Sequence, residues 1–345
     1  MSLTKSVGDS AMKVLFVGGG AVAGLYGWRM QLAGILTGVV CRSNYPKVRD
    51  SGYRIESKRW GNDVFRPDRV FSSIEEAARD GHSYDYVVVS TKALPGLTSP
   101  ADTIEPLIKT NDTSIVIMQN GIGVEDPFVS RFVNNPIIST VSFVDVKQPE
   151  HGFISHGVNS NLIIGLCTGP ESKVAADLAA SALDKLNTAW GKADVPCIKA
   201  EDIQSYRWHK VVWNASFNPM SVISGGCTKN TMVAHPYFRK LILDVMEEVW
   251  DAAGKVCGRS FPPSGVFESA KAMFDHTVNA PTDVHPSMLL DYINNRPMEH
   301  EVILKNTISK AKACGASVPR LETIYGHILM LEQQKQKNNA SVNGK

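Results

Sequence analysis

From Met12 to Gly34 the chain reads MKVLFVGGGAVAGLYGWRMQLAG: a short β-branched apolar run, a glycine turn, then an amphipathic stretch ending at Gly34. That order predicts strand, tight loop and helix. A second apolar run, ILTGVVCRS, follows at once, and YDYVVVSTK and SIVIMQNG add two more runs of buried-strand type. Between them lie helical patterns such as SIEEAARDG, and strands alternating with helices predict a parallel sheet. YRIESKRWGNDVFRP alternates around Gly61-Asn62 and predicts a hairpin decorating that layout. Between about Pro136 and Cys167, IISTVSFVDV, HGFISHG and NLIIGLC predict three short strands at the edge of the first domain. After Pro170 the period becomes helical, in SKVAADLAASALDKLN and in the segments Glu201–Ile223, Tyr237–Cys257 and Glu299–Ala313. The fold class expected is α/β: an N-terminal Rossmann-type dinucleotide-binding domain over residues 12–195, followed by an all-helical C-terminal domain over 196–335.

The 345 residues exceed the usual size of a single core, in keeping with two domains. With 36 basic and 34 acidic residues spread along the chain, there is no basic field of the kind nucleic acid requires, and small molecules are the expected partners. Six scattered cysteines form no CxxC and no metal-ligand spacing, so no metal is expected and the thiols read as reduced, in a cytoplasmic protein. The N-terminus lacks an apolar signal core, and no apolar run approaches the ~20 residues that span a bilayer. The polar final stretch, QQKQKNNASVNGK, is expected to fray.

Gly18, Gly19, Gly20, Ala21, Val22 and Ala23 fit G-x-G-x-x-G/A between a predicted strand and helix. The motif needs a sharp turn at Gly18 and bare backbone at Gly20, so that a pyrophosphate reaches the N–H groups and positive dipole of the helix start. Cofactor choice rests on the end of the second strand, where an acid accepts from a free ribose hydroxyl and an arginine favours a 2′-phosphate. This chain has Arg42 and Ser43 there and no acid, which favours NADPH. FAD or S-adenosylmethionine would use the same glycine loop. Lys92 closes the third buried run, at the strand end where ligands lie in open α/β sheets, and reads equally as a solvated lysine or a ligand contact. Asn120-Gly121 stands at the same edge but is first of all a turn signal.

In the second half, Lys210, Asn214 and Asn218 recur at steps of four and share one helical face. Such groups on an apolar helix either satisfy internal contacts or face a ligand. A lysine with two amides amounts to a general acid with hydrogen-bond donors. Trp208 and His209 point elsewhere. Ser287 precedes an apolar turn and reads as an N-cap or a ligand contact, and Glu299 as a complement to a helix dipole or a site residue.

Taken together, GGGAVA, CRS, STKA, MQNGIG, RWHKVVWNASFNP and SMLLDYINNRPMEHE resemble the ketopantoate reductase (2-dehydropantoate 2-reductase) family, in its order and approximate spacing, from about Met12 to Leu331. The resemblance implies reduction of a 2-keto acid by NADPH, with the active site in the cleft between a Rossmann domain and a helical one. It implies Lys210 as the lysine that protonates the carbonyl oxygen and Glu299 as the residue that holds the substrate's terminal hydroxyl. Asn214 and Asn218 would bind substrate, Ser287 its carboxylate, and Lys92 and Asn120 would line the cofactor and substrate side. Ala23, in place of the third glycine, still allows close helix–strand packing. Cys227-Thr228-Lys229-Asn230 replaces a segment where the family usually offers another substrate-facing asparagine, which unsettles substrate identity. The first expectation is therefore ketopantoate reduction to pantoate, for pantothenate synthesis. The second is reduction of another 2-keto acid or an activated ketone, and the third is a non-catalytic NADPH-binding sensor. The expected partner is a small keto substrate, with no nucleic acid and no membrane, and a homodimer is left open.

Overall fold

The computed structural model describes residues 11–343 apart from 95, 97 and 98, with side chains described as far as Lys335. The polar N-terminus lies outside the described residues. Ten strands form one sheet: β1 (Lys13–Val17), β2 (Leu36–Val40), β3 (Tyr53–Ser57), β4 (Gly61–Phe65), β5 (Arg69–Phe71), β6 (Tyr86–Val89), β7 (Ser114–Ile117), β8 (Ile137–Glu150), β9 (Phe153–Leu166) and β10 (Cys197–Lys199). Their order is β4-β3-β9-β8-β7-β6-β1-β2-β5, with β10 beside β9. From β8 through β7, β6, β1 and β2 to β5 every pairing is parallel. The runs VVV of β6 and SIVI of β7 are wholly buried, as strands covered on both faces must be. The strand order reverses at β1, which has β2 on one side and β6 on the other. The carboxyl ends of those two neighbours of β1 flank the crevice that ligands use in open α/β sheets.

Two differences from the sequence reading concern the hairpins. The turn of the first falls at residues 58–60, ahead of Gly61-Asn62, and the hairpin is built into the sheet, since β3 pairs in parallel with β9. The stretch read as three short edge strands is instead a single hairpin of two 14-residue strands inside the sheet. Register shifts between Val144 and Val146 and between Lys147 and Glu150 break the alternation, because a bulge reverses which side chains face the core.

Six helices accompany the sheet: α1 (Ala21–Leu32), α2 (Tyr45–Ser51), α3 (Ile74–Arg79), α4 (Pro100–Ile104), α5 (Asp126–Arg131) and α6 (Ala176–Lys192). α1 is buried along most of its length, from Ala23 to Trp28 and at Met30, because it touches β8 and β9 on one side and α6 on another. The stretch expected to be amphipathic is therefore buried on most of its faces, with Arg29 and Gln31 its only long polar side chains. Tyr26 meets Trp190 edge-on at 5.4 Å, and each such buried ring contributes roughly 1.5–3 kcal/mol of transfer free energy. Gly24 and Gly27 let the helix lie close: a Cβ on Gly24 would come 2.9 Å from Ile154, and one on Gly27 2.9 Å from the Phe65 ring.

The chain clusters into two compact units. The sheet unit continues past residue 195 to Ile203, because β10 pairs with β9. The second unit takes the remaining helices, together with the short stretches that begin at Ala93, after β6, and at Asn120, after β7. Its helices are α7 (Ile203–Ile223), α8 (Lys229–Ala234), α9 (Pro236–Cys257), α10 (Ala270–Asn279), α11 (Ser287–Ile293), α12 (Asn306–Ala313) and α13 (Pro319–Asn343). α9 is the hub and touches α8, α10, α12 and α13 through Ile242, Val245, Met246, Val249, Ala252 and Ala253, all fully buried. α13 stays helical through Asn343, where the sequence suggested fraying, and residues 344–345 lie outside the described residues. Among the described residues no helix is long and apolar enough to cross a membrane.

The close seat of α1 has a measurable consequence. Gly27→Val should destabilise the protein by about 2–3 kcal/mol, since it overpacks a filled core, and urea unfolding reads this directly. An unchanged midpoint would show that the Phe65 ring gives way without cost.

Candidate functional site

The glycine loop joins β1 to α1 and is held from three sides within the sheet unit. The Gly18 N–H donates to the Val40 carbonyl at 3.1 Å, and the Ser90 hydroxyl donates to the Gly18 carbonyl at 3.0 Å. Gly18 has φ +109°, in the region that favours glycine, and a Cβ there would lie 2.8 Å from the Thr91 nitrogen. The Gly19 carbonyl accepts from the Asn44 amide and from the Tyr53 hydroxyl at 3.1 Å, and a Cβ on Gly19 would collide with the Cys41 thiol. Gly20 is exposed, and a Cβ there would meet nothing within 4 Å.

Gly20 is also the N-cap of α1, with no side-chain cap and no acid in the first turn. Uncapped N–H groups and the positive end of a helix dipole suit an anion, so bare backbone, open space and uncapped donors coincide where a pyrophosphate would lie. The residues present fit a dinucleotide. Ala21 and Val22 form the partly buried first turn and Ala23 the buried contact behind it. Arg42 and Ser43 follow Cys41 just past the end of β2 and are both exposed. Among the described residues the Arg42 guanidinium makes no ion pair, so its donors face solvent. Lys92 follows β6 and is exposed.

In the helical unit the polar stripe along α7 is longer than the sequence reading had it. Arg207 precedes Lys210, Asn214 and Asn218 by three residues and continues their line. The Lys210 ammonium donates to Asn120 Oδ1 at 2.8 Å. The buried Arg207, 3% exposed, donates to the Gly121 carbonyl at 3.1 Å. Glu299, also buried, accepts from the Ala93 N–H at 3.0 Å. Lys210, Asn120 and Glu299 therefore belong to one constellation, whose members come from α7, the stretch after β7 and the stretch before α12. Burial first, and the Arg207 guanidinium second, push the Lys210 ammonium down from 10.5 to about 8, against the opposing pull of Glu299. An ammonium tuned in this way donates protons more readily than an ordinary lysine.

The stretch Asn120–Val124 is fixed by its backbone. Ile122 donates its N–H to the Val302 carbonyl at 2.8 Å, and the Asn306 amide donates to the Ile122 carbonyl at 2.8 Å. Residues Glu301–Lys305 form a π-helical turn rather than the α-helix expected over Glu299–Ala313. The Asn306 N–H reaches back five residues, to Glu301, so Val302 offers Ile122 the carbonyl that a regular helix would direct at Asn306. Gly121 has φ +100°, and a Cβ there would lie 2.6 Å from the Val302 oxygen.

Asn214 is 7% exposed and Asn218 fully buried, and neither amide atom of Asn218 has a hydrogen-bond partner among the described residues. An unpaired buried amide costs about 1–3 kcal/mol, which marks the position as one kept for something other than packing. His209 lies off this stripe. It is buried and stacked on Phe267 at 6.1 Å, and burial pushes its imidazole down to about 4. Ser287 is the first residue of α11, not its cap; Pro286 holds that position, and Ser287 is exposed. Thr228 donates its hydroxyl to Asp283 at 2.8 Å and Asn230 its N–H to the same carboxylate at 2.9 Å. The fully buried Lys229 donates to the Ala280 carbonyl at 2.7 Å. Sequence reasoning missed Arg207, which its spacing from Lys210 would have revealed, and Asn44 and Tyr53, for which no local signal exists.

The sequence profile described as ketopantoate reductase PanE/ApbA matches residues 14–169, and the profile of the C-terminal part of the same family matches residues 202–332. The chain belongs to the ketopantoate reductase family, and with it to the oxidoreductases acting on a CH–OH/C=O couple. A 2-dehydropantoate 2-reductase of Nostoc sp. is 28% identical over 330 residues, covering 96% of this chain and 98% of the relative. The crystal structure of 2-dehydropantoate 2-reductase from Methylococcus capsulatus superposes with a TM-score of 0.79 at 29% identity, covering 94% of this chain and 98% of that one. D-mandelate dehydrogenase, solved with NADH and anilino(oxo)acetate, shares the fold with a TM-score of 0.77 at 17% identity, covering 94% of this chain and all of the other.

The open space above Gly20 allows a clean separation of folding from binding. Gly20→Ala should leave the melting temperature unchanged, because its methyl meets no protein atom, yet weaken dinucleotide binding by about tenfold or more. Calorimetry with the native fold verified checks this, and undiminished affinity would place the dinucleotide elsewhere.

Proposed function

We propose that the protein reduces a 2-keto acid with NADPH, the substrate being ketopantoate and the product pantoate. The observation that carries this reading is the Lys210 ammonium, held by the Asn120 amide oxygen at 2.8 Å and lowered to about 8. NADPH, when bound, supplies the hydride that the carbonyl carbon receives. Lys210 stabilises the negative charge growing on the carbonyl oxygen and gives it a proton. The amide oxygen of Asn120 orients the ammonium before transfer, and Glu299 tempers the fall in its basicity. Asn214, Asn218 and Ser287 bind the substrate, with Ser287 on its carboxylate, and Glu299 receives its terminal hydroxyl. On the cofactor side, Gly18 through Ala23 present bare backbone to the pyrophosphate, Arg42 and Ser43 hold the 2′-phosphate, and Lys92 lines the same edge.

A second reading, reduction of another 2-keto acid, is favoured by Thr228, whose hydroxyl is already engaged by Asp283. Turnover distinguishes the two: NADPH oxidation at 340 nm with ketopantoate should exceed that with 2-ketoisovalerate, which lacks the hydroxyl. Equal turnover of both would remove the assignment to pantoate formation while leaving the reductase. A complete lack of turnover across a panel of keto acids and activated ketones would favour a non-catalytic NADPH-binding sensor.

Lys210→Ala should lower kcat by about 10²–10⁴-fold. A general acid must be protonated to act, so kcat/KM should fall as pH rises through about 8, and a flat alkaline limb would exclude Lys210 as that acid. Arg42→Ala should weaken NADPH by about 10–100-fold and leave NADH nearly unaffected, as paired affinity measurements will show.

A further inference from the structure

The buried guanidinium of Arg207 is used by no step of the reaction proposed above. It lies one helical turn before Lys210 on the same face of α7, is 3% exposed and donates to the Gly121 carbonyl at 3.1 Å. Gly121 directly follows Asn120, whose amide oxygen accepts from Lys210 at 2.8 Å. The loop has little freedom to slide, since Ile122 is held on both its N–H and its carbonyl, by Val302 and Asn306. We propose that Arg207 is a positioning residue for Lys210: through the Gly121 carbonyl it fixes the Asn120 amide against the ammonium, and its fixed charge keeps that ammonium ready to release its proton.

The geometry assigns the two effects to different properties of the side chain. Fixing Gly121 needs the reach and planar fork of a guanidinium, which an ammonium does not reproduce. Readying Lys210 needs only a permanent positive charge nearby. Among the described residues, the charged groups acting on Lys210 are Arg207, from its own helix, and Glu299, from the stretch before α12; the first lowers its basicity and the second raises it. Asn120, from the stretch after β7, is neutral and contributes direction. A lysine between one cation and one anion is poised, and removing the cation leaves Glu299 opposed by burial alone.

The inference rests on Lys210 acting as the proton donor, and the test keeps the two ideas apart. Competitive acetylation of the full-length protein across a pH series, read by mass spectrometry at Lys210, reports its ionisation without reference to turnover. The wild-type midpoint should fall at about 8. In Arg207→Met it should rise by about one unit or more, the alkaline limb of kcat/KM should move up with it, and kcat at pH 7 should fall by about tenfold. Arg207→Lys keeps the charge and loses the fork: the Lys210 midpoint should return to within a few tenths of wild type while kcat stays reduced. Where the Met variant fails to fold, Arg207→Gln, which also removes the charge, takes its place in the labelling series. An unmoved midpoint in Arg207→Met, or a midpoint in Arg207→Lys as high as in Arg207→Met, would overturn the electrostatic half. Wild-type kcat in Arg207→Lys would overturn the positioning half. Lys210→Ala alone decides whether Lys210 is the acid, whatever the labelling midpoints show.

Discussion

The polar interior of the helical unit depends on how three backbone groups, the carbonyls of Gly121 and Ile122 and the N–H of Ile122, find partners. A loop drawn in among helices brings amides that no ladder satisfies, and each one left unpaired costs about 1–3 kcal/mol. Here Arg207, Asn306 and Val302 supply the partners. Each solution imposes its own condition. The first places a guanidinium inside the unit, the second an amide at the start of α12, and the third requires a π turn that releases the Val302 carbonyl. Gly121 follows as a necessity, because any Cβ would strike that same carbonyl. The register of Asn120 against Lys210 is thus a by-product of backbone satisfaction, and that makes it stiff.

The glycine loop inverts this logic. α3, α4 and α10 each carry a serine N-cap whose hydroxyl accepts a first-turn N–H, and the histidine at the head of α9 does the same. α1 begins on Gly20, with neither cap nor first-turn acid, although the carbonyls of its loop are held by side chains from three other segments. Rigidity comes from behind, through Asn44, Tyr53 and Ser90 acting on the carbonyls of Gly18 and Gly19, while the donors facing forward stay open. Binding backbone that is preorganised in this way avoids the entropy of ordering a loop when the ligand arrives.

The elements were legible where the signal is local. Alternating strands and helices, the uncapped glycine turn and the four-residue step from Lys210 to Asn218 are all periodicities or short motifs, and the sheet and α7 bear their imprint. What escaped was whatever depends on a distant partner. Tyr53 reads as a strand tyrosine until β3 brings it to Gly19, and Arg207 as one more charge in RWHK until Gly121 arrives beside it. The π turn left no trace because its residues keep an ordinary apolar pattern. The β8–β9 hairpin was divided into three pieces because a bulge interrupts the alternation that sequence reading relies on. Gly121 was read as a turn glycine, which its positive φ bears out, but its close approach to Val302 is a property of the packed unit alone.

Glu299 shows how one carboxylate can meet several demands. One of its oxygens accepts the Ala93 N–H, its charge raises the basicity of Lys210 against burial and Arg207, and the proposed reaction asks it to receive a substrate hydroxyl as well. An ionised carboxylate has about four lone-pair directions and no donor, so a backbone N–H and a hydroxyl can share it without competition, provided that it stays ionised. The carboxylate also keeps Lys210 from falling so far that it would be neutral at the pH where it must carry a proton. Arg207 and Glu299 thus bracket the lysine from opposite directions, and the useful value lies between what either would impose alone.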